Sequence, residues 1–218
     1  MEYEFDWHAI AYPELWLKAL SITLLYSVGT IAGGLLLGVL LGTIALSKRK
    51  ILSAPISFFV QFFRCTPLMI QVVWFYYALP IMTGFTMSSW VAAGLGLTLY
   101  MAAFSAEIFR GGVISIEQGQ WNASKALGMS HLQMMRHIIL PQATRRMIPP
   151  FVNQSILQMK NTSLLYVVAV PDLMYTSYEL TARTYRPLET YTFVALIYFA
   201  ILYPATVFCK RLETRIQR

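Results

Sequence analysis

The stretch ALSITLLYSVGTIAGGLLLGVLLGTIAL, residues 19–46, carries no charged side chain over 28 positions. About 20 apolar residues suffice to cross the hydrocarbon of a bilayer, so this is a membrane helix with length to spare. Glu2, Glu4, Asp6 and Glu14 precede it, and Lys48, Arg49 and Lys50 follow it. Basic residues collect on the cytoplasmic side of a span, so this helix is expected to begin outside and end inside. The acidic start also argues against a cleaved signal peptide, which begins basic and has a shorter apolar core. Within the stretch Gly34, Gly38 and Gly42 recur every four residues. Glycines so spaced share one helix face and let another helix approach closely.

The rest of the chain repeats the pattern. Of its 218 residues 57% are hydrophobic and 12% charged, about half the charge of an ordinary soluble domain. No charge occurs between Arg64 and Glu107, too long a gap for one span. Leu79-Pro80, Thr83-Gly84, Ser88 and Ser89 supply a break, predicting helices over about 66–82 and 90–109. Residues 51–63, which follow the basic cluster and contain Pro55, are expected to run along or into the cytoplasmic interface. Residues 110–146 are polar and basic, the longest non-spanning segment. It is expected to hold one helix around Trp121 to Leu127 and a second over about 131–140, stopped by Pro141. Pro149-Pro150 is read as opening a fourth span to about Val170. A last charge-free run, 190–209, leads to the basic tail of Lys210, Arg211, Arg215 and Arg218. The expected architecture is an all-α integral membrane fold of five transmembrane helices, N-terminus outside and C-terminus cytoplasmic. A periplasmic segment 1–18 precedes a transmembrane domain 19–218.

The formal net charge of +7 brackets the apolar runs instead of gathering on one surface, which excludes nucleic acid as a partner. Cys65 and Cys209 show no spacing for a disulfide framework or a metal. His8, His131 and His137 lie at different depths, so no cluster points to a membrane-embedded enzyme. A secondary transporter would call for coupling-ion sites and an internal repeat of spans, and no convincing repeat is present. The phosphate-binding pattern G-x-x-x-x-G-K-[ST] is missing as well, so any ATP and Mg are expected on another chain and no cofactor on this one.

The polar segment reads Asn122-Ala123-Ser124-Lys125-Ala126-Leu127-Gly128-Met129 and, with nine residues intervening after Gly128, Ile138-Ile139-Leu140-Pro141. This resembles the signature loop of ABC importer permeases, E-A-A-x-x-x-G followed by I-x-L-P. Asn122 stands where that signature has Glu, and Ser124 where it has Ala, so an ion pair from that Glu is not carried over. Taken as a loop lying on the membrane surface, the segment would be an amphipathic helix–turn–helix; the full spacing favours a coupling role. Arg64-Cys65-Thr66-Pro67-Leu68 with Gln71, the 106–112 stretch AEIFRGG, Gly119-Gln120 and Lys160-Asn161-Thr162-Ser163-Leu164 are similar to the polar amino acid permeases of histidine, glutamine and glutamate/aspartate uptake. The likeness extends over nearly the whole chain and is strongest to the glutamate/aspartate subunits.

That resemblance implies a type I importer permease of the bacterial inner membrane. It implies cytosolic ATP-binding cassette subunits, a second membrane subunit, identical or paralogous, and a periplasmic substrate-binding protein. It places ATPase coupling on Asn122, Ala123, Ser124, Leu127, Gly128, Met129 and Pro141, within a loop of about 111–146. For the substrate path the residues themselves speak: Gln154, Gln158 and Asn161 follow i, i+4, i+7 on one helix face. Their amides suit the polar groups of an amino acid, and Lys160, Thr162 and Ser163 lie close by. Such groups are expensive in hydrocarbon unless paired; helix–helix hydrogen bonding is the plainer alternative for them. An amide at 154, where family members handling cationic amino acids tend to carry a carboxylate, favours glutamate, aspartate or glutamine. Glu107 and Arg110 are read as pairing with other subunits or anchoring their helix in preference to gating charges, and Asp172 as a helix cap in preference to part of an outer gate.

Overall fold

The computed structural model describes residues 4–216; Glu2 and Arg218, and the side chain of Arg215, lie outside the described residues. The chain runs α1 (Pro13–Ala45), α2 (Lys50–Cys65), α3 (Leu68–Val73), a π turn (Trp74–Ala78), α4 (Leu79–Thr83), α5 (Ser89–Ile114), α6 (Gln118–Ala126), α7 (His131–Met134), a second π turn (Met135–Ile139), α8 (Leu140–Asn161), a 3₁₀ segment (Thr162–Val168), α9 (Leu173–Thr184) and α10 (Pro187–Ile216). No strand occurs among the described residues. Three helices, α1, α5 and α10, are long and apolar enough to cross a bilayer. A fourth candidate is the pair Lys50–Cys65 and Leu68–Thr83, bent by 107°.

The first helix begins at Pro13, six residues before the charge-free run. Proline suits this position because the N–H it lacks has no helical partner there. The glycine face packs α1 onto α5. A Cβ on Gly34 would fall on the Met101 side chain, and one on Gly38 on Ser105 and 2.7 Å from the Ala102 carbonyl oxygen. One on Gly42 would lie 2.7 Å from the Ala106 carbonyl oxygen. Met101, Ala102, Ser105 and Ala106 are all buried in this seam. The four-residue spacing thus does what it does in membrane helices generally, bringing two backbones together.

Residues 51–63 form part of a separate helix, α2, which carries exposed Ile51, Phe58 and Phe62. The bend after it falls at Thr66-Pro67. Gln71, buried, donates from Nε2 to the carbonyl oxygens of Phe63 (2.8 Å) and Thr66 (3.0 Å) and to Thr66 Oγ1 (2.8 Å). One side chain therefore satisfies carbonyls that the broken helix leaves open. The chain turns between α4 and α5 at Gly84, whose φ of 71° lies in the left-handed region that glycine enters freely.

One expectation about proline fails. Pro141 does not stop a helix: the chain is helical without interruption from 131 to 161, so Pro149 and Pro150, read as opening the fourth span, lie inside a helix that has already begun. The reason at Pro141 is the π turn Met135–Ile139, which ends two residues before it. A widened turn relieves the proline ring and its missing N–H. Pro80 follows the other π turn at the same distance and likewise continues its helix. Pro149 and Pro150 are carried by packing on both sides: Ala143 and Met147 are buried before them, Gln154 and Ile156 after. Tertiary contacts of this kind override local preference.

Candidate coupling loop and substrate path

The loop is built by local sequence. At the end of α6 the Gly128 N–H donates to the Lys125 carbonyl (2.9 Å) and the Met129 N–H to the Ser124 carbonyl (3.2 Å). With Gly128 at φ 73° this is a complete Schellman motif. Ser130 then caps α7 with a reciprocal capping box: its hydroxyl accepts from the Gln133 N–H while Gln133 Oε1 accepts from the Ser130 N–H. These two devices set the angle between α6 and α7. Ser124 is buried, its hydroxyl donating to the Gln120 carbonyl at 2.7 Å. Asn122 accepts from Gln118 Nε2 at 3.2 Å. Leu127 and Leu132 stand 80% and 77% exposed on either side of Gly128. Two large apolar side chains are thus held in solvent on one elbow, an exposed apolar patch of the kind that marks interaction surfaces.

The loop is braced to the bundle. Gln142 of α8 donates to Gln120 Oε1 of α6 (3.2 Å), and Arg146 Nη1 donates to the Ser115 carbonyl at the end of α5 (2.6 Å). Beneath them Val113, Ile116, Ile139, Ala143 and Met147 form one buried cluster. A Cβ on Gly112 would meet the Met147 side chain, so α5 and α8 cross closely at this point. Because α7, the π turn and α8 are continuous, the elbow sits on one end of a helical rod of 31 residues, about 46 Å along its path at 1.5 Å per residue. The other end of the rod carries the polar residues.

There the structure separates residues that the sequence groups together. Gln158 is fully buried, and its Nε2 donates to Thr30 Oγ1 of α1 (3.1 Å) and the Leu97 carbonyl of α5 (2.9 Å). It ties three helices together. Gln154, one turn earlier, is buried too, but its Nε2 has no partner. Asn161 Nδ2 is buried without a partner as well, and its side chain approaches the Tyr100 phenol without forming a full hydrogen bond. Unpaired buried amide atoms are uncommon and costly; Gln154 and Asn161 leave two nitrogens unpaired on one face, and the Oε1 of Gln158 between them is also buried without a partner. Lys160 is exposed beside them. Thr162 and Ser163 return their hydroxyls to the carbonyls of Met159 and Lys160, both at 2.8 Å, where the α-helix tightens into the 3₁₀ segment.

Beyond that segment Asp172 caps α9, accepting from the Tyr175 N–H at 2.8 Å. It is fully buried and its second carboxylate oxygen has no partner. Burial drives its pKa up to about 7 against backbone hydrogen bonds that lower it. The Tyr198 phenol of α10 faces it, beside Thr162 and Thr23. At the opposite end of α5, Glu107 pairs within the chain: Arg110 reaches it through Nε (3.0 Å) and Nη2 (2.6 Å), and Arg64 lies 3.8 Å away. Arg64 also stacks over the Phe104 ring at 5.5 Å. Within the chain, Glu107 and Arg110 thus form a bidentate pair of the kind that arginine geometry favours.

Known proteins share this arrangement. Residues 34–218 match the family described as binding-protein-dependent transport system inner membrane component. The chain is 37% identical to the glutamine transport system permease protein GlnP of Escherichia coli (strain K12), over 98% of this chain and 99% of that one. It is 35% identical to the glutamate/aspartate import permease protein GltK of Escherichia coli O6:H1, again over 98% and 99%. A crystal structure of an amino acid ABC transporter with histidines superposes with a TM-score of 0.91 at 27% identity, covering 98% of this chain and 100% of its counterpart. The methionine transporter MetNI, at 22% identity and a TM-score of 0.77, shares the fold. The chain therefore belongs to the inner membrane components of binding-protein-dependent transport systems: it is a multi-pass inner-membrane ABC importer permease of type I fold, a transport subunit whose ATPase is a separate chain.

Proposed function

We propose that this chain is the membrane half of an ATP-driven importer of polar L-amino acids, with glutamine, glutamate and aspartate as the favoured substrates. The observation that carries the reading is the uninterrupted rod from the exposed elbow at Leu127, Gly128 and Leu132 to the unpaired amides of Gln154 and Asn161. In this reading Asn122, Ala123, Ser124, Leu127, Gly128 and Met129 dock into a cleft of a cytosolic ATPase. Pro141 with its π turn fixes the direction of the rod. ATP closure displaces the elbow, and α7 and α8 move as a unit past α5, carrying the polar face with them. Hydrolysis of ATP, with its Mg, on the partner reverses the motion.

The topology belongs to the same proposal: five spans, with α8 as the polar one, N-terminus outside and C-terminus cytoplasmic. A second membrane subunit, identical or paralogous, closes the path across the α8 face, and a periplasmic binding protein delivers substrate. Gln154 and Asn161 offer donors to a carboxylate or side-chain amide, and the Lys160 ammonium adds attraction for acidic substrates. Thr162 and Ser163 shape the path by ending α8. Gln158 supports the path from behind by holding α8 on α1 and α5. The similarity to permeases named for glutamine and for glutamate/aspartate supports this substrate class.

The test is uptake of labelled glutamine, glutamate, aspartate and arginine into proteoliposomes holding the assembled transporter, with ATP on the ATPase side. Uptake of the first three, dependent on ATP and on the loaded binding protein, is the expected result. Preference for arginine would overturn the substrate assignment. Accumulation with no ATPase present would overturn the importer reading and favour an ion-coupled secondary transporter.

A further inference from the structure

A cavity of about 390 Å³ opens where the ends of α1 and α5 meet the elbow. Its inner wall is apolar, with Leu46 from the end of α1 and Ile116 after α5. Its rim carries Lys48, Lys125 and His131, and no carboxylate lines it. Lys48 and Lys125 are exposed. The ion pairs found among the described residues are made by Glu107, Glu179 and Glu189 with arginines, so neither lysine is neutralised by one. Trp121 closes the cavity from α6, its ring stacked on His131 with centroids 6.3 Å apart.

Three observations define the occupant. The rim is cationic, so the ligand is an anion. The wall behind it is apolar, so the ligand has an apolar portion too, which a free inorganic anion lacks. The cavity lies at the ends of two helices apolar enough to cross a bilayer, and tryptophan is common where such helices meet the headgroups. The cavity adjoins the surface assigned to the ATPase. Gln118, Trp121 and Lys125 share one face of α6 by their three- and four-residue spacing, with Asn122 at its edge accepting from Gln118, whereas the exposed Ala123 and Leu127 lie on another.

We propose that this cavity binds the headgroup of an anionic glycerophospholipid: its phosphate lies between Lys48 and Lys125, and its glycerol and upper acyl chain lie against Leu46 and Ile116. Basic pockets between membrane helices recognise such headgroups elsewhere. The lipid would wedge the elbow against the bundle, so the two lysines tie the loop to the leaflet beside it. The proposal does not depend on which amino acid is carried.

The assembled transporter is equilibrated with vesicles of phosphatidylethanolamine and phosphatidylglycerol, re-extracted, and weighed by native mass spectrometry to count retained lipids. The wild type is expected to retain phosphatidylglycerol in preference to phosphatidylethanolamine. In Lys48→Gln/Lys125→Gln that preference falls about twenty-five-fold, each lysine contributing about a factor of five. Lys48→Arg/Lys125→Arg restores it, and Lys210→Gln/Arg211→Gln, which removes the same charge from the tail, leaves it unchanged. Undiminished retention in the glutamine double variant overturns the proposal. So does displacement of the lipid by millimolar inorganic phosphate but not by chloride of equal ionic strength, which would assign the site to free phosphate.

Discussion

The seam between α1 and α5 and the rod formed by α7 and α8 hold the same bundle together by opposite means. The seam is small and apolar: Gly34, Gly38 and Gly42 against Met101, Ala102, Ser105 and Ala106. With lipid as solvent, burying apolar surface gains little, and what remains is close contact between backbones. The rod is large and polar, and its hold depends on single hydrogen bonds such as those of Gln158 to Thr30 and Leu97. A seam of backbone contacts has one good arrangement. A helix whose Gln158 is held through its amide nitrogen by two hydrogen bonds, and whose Gln154, one turn away, has an unpaired amide nitrogen, is suited to exchanging partners. In the proposed import cycle this contrast makes α1 and α5 the fixed frame and α8 the moving part.

The largest effect is expected in the seam. Gly38→Leu would drive a side chain into Ser105 and the Ala102 carbonyl and cost about 3 kcal/mol or more, read as a large drop in the unfolding midpoint of the solubilised protein. Gly29→Leu lies on the same helix, where a Cβ meets nothing within 4 Å, and should change stability by less than about 0.5 kcal/mol. Similar losses from both would break the assignment of the seam.

Next comes the outer end of the polar half. Asp172 holds its proton up to about pH 7 in the folded state, well above the ordinary carboxylate range. The folded protein therefore binds more protons than the unfolded chain between about pH 4 and 7. Stability is full below that window and is lost as pH rises through it, at a slope of at most about 1.4 kcal/mol per pH unit. Asp172→Asn keeps a capping oxygen for the Tyr175 N–H and should flatten the profile. An unfolding midpoint of the wild type that rises between pH 5 and 8 would contradict the burial account of this carboxyl.

The two glutamines sharpen the comparison. Gln158→Leu removes two hydrogen bonds between helices and should cost about 1 kcal/mol. Gln154→Leu removes a buried amide nitrogen with no partner, so stability should stay within about 0.5 kcal/mol. Uptake should nevertheless fall roughly tenfold, the worth of one lost hydrogen bond to substrate. Paired measurements of melting and uptake on the two variants check this. A Gln154 variant that melts early and transports normally would reverse the roles of the two residues.

Which parts of this were legible beforehand follows from how local their causes are. The glycine face is a four-residue repeat within one helix, and its partner helix was the only long-range fact missing. Asp172 sits directly before a helix, so its capping bond needed nothing from the rest of the fold. The Schellman turn at Gly128 and the capping box of Ser130 and Gln133 are likewise written in consecutive residues. The rod was not legible, because Pro141, Pro149 and Pro150 are helix breakers by every local rule. They are tolerated through a π turn and through burial of Ala143, Met147 and Ile156. The division of labour between Gln154 and Gln158 was hidden for the same reason. Their spacing is i, i+4, and only the positions of Thr30 and Leu97 on other helices distinguish them.

The most direct test of the account is at the elbow. Gly128 is left-handed with open space around it, so a bulky side chain there strains the turn and crowds the ATPase but leaves the bundle alone. Hydrolysis of ATP by the assembled transporter in proteoliposomes would be measured with and without substrate-loaded binding protein, for the wild type, Gly128→Asn and Gly128→Trp. The account predicts stimulation in the wild type, most of it kept with asparagine, which tolerates this backbone region, and none with tryptophan. Full stimulation in the tryptophan variant would contradict the claim that this elbow couples the ATPase to the path.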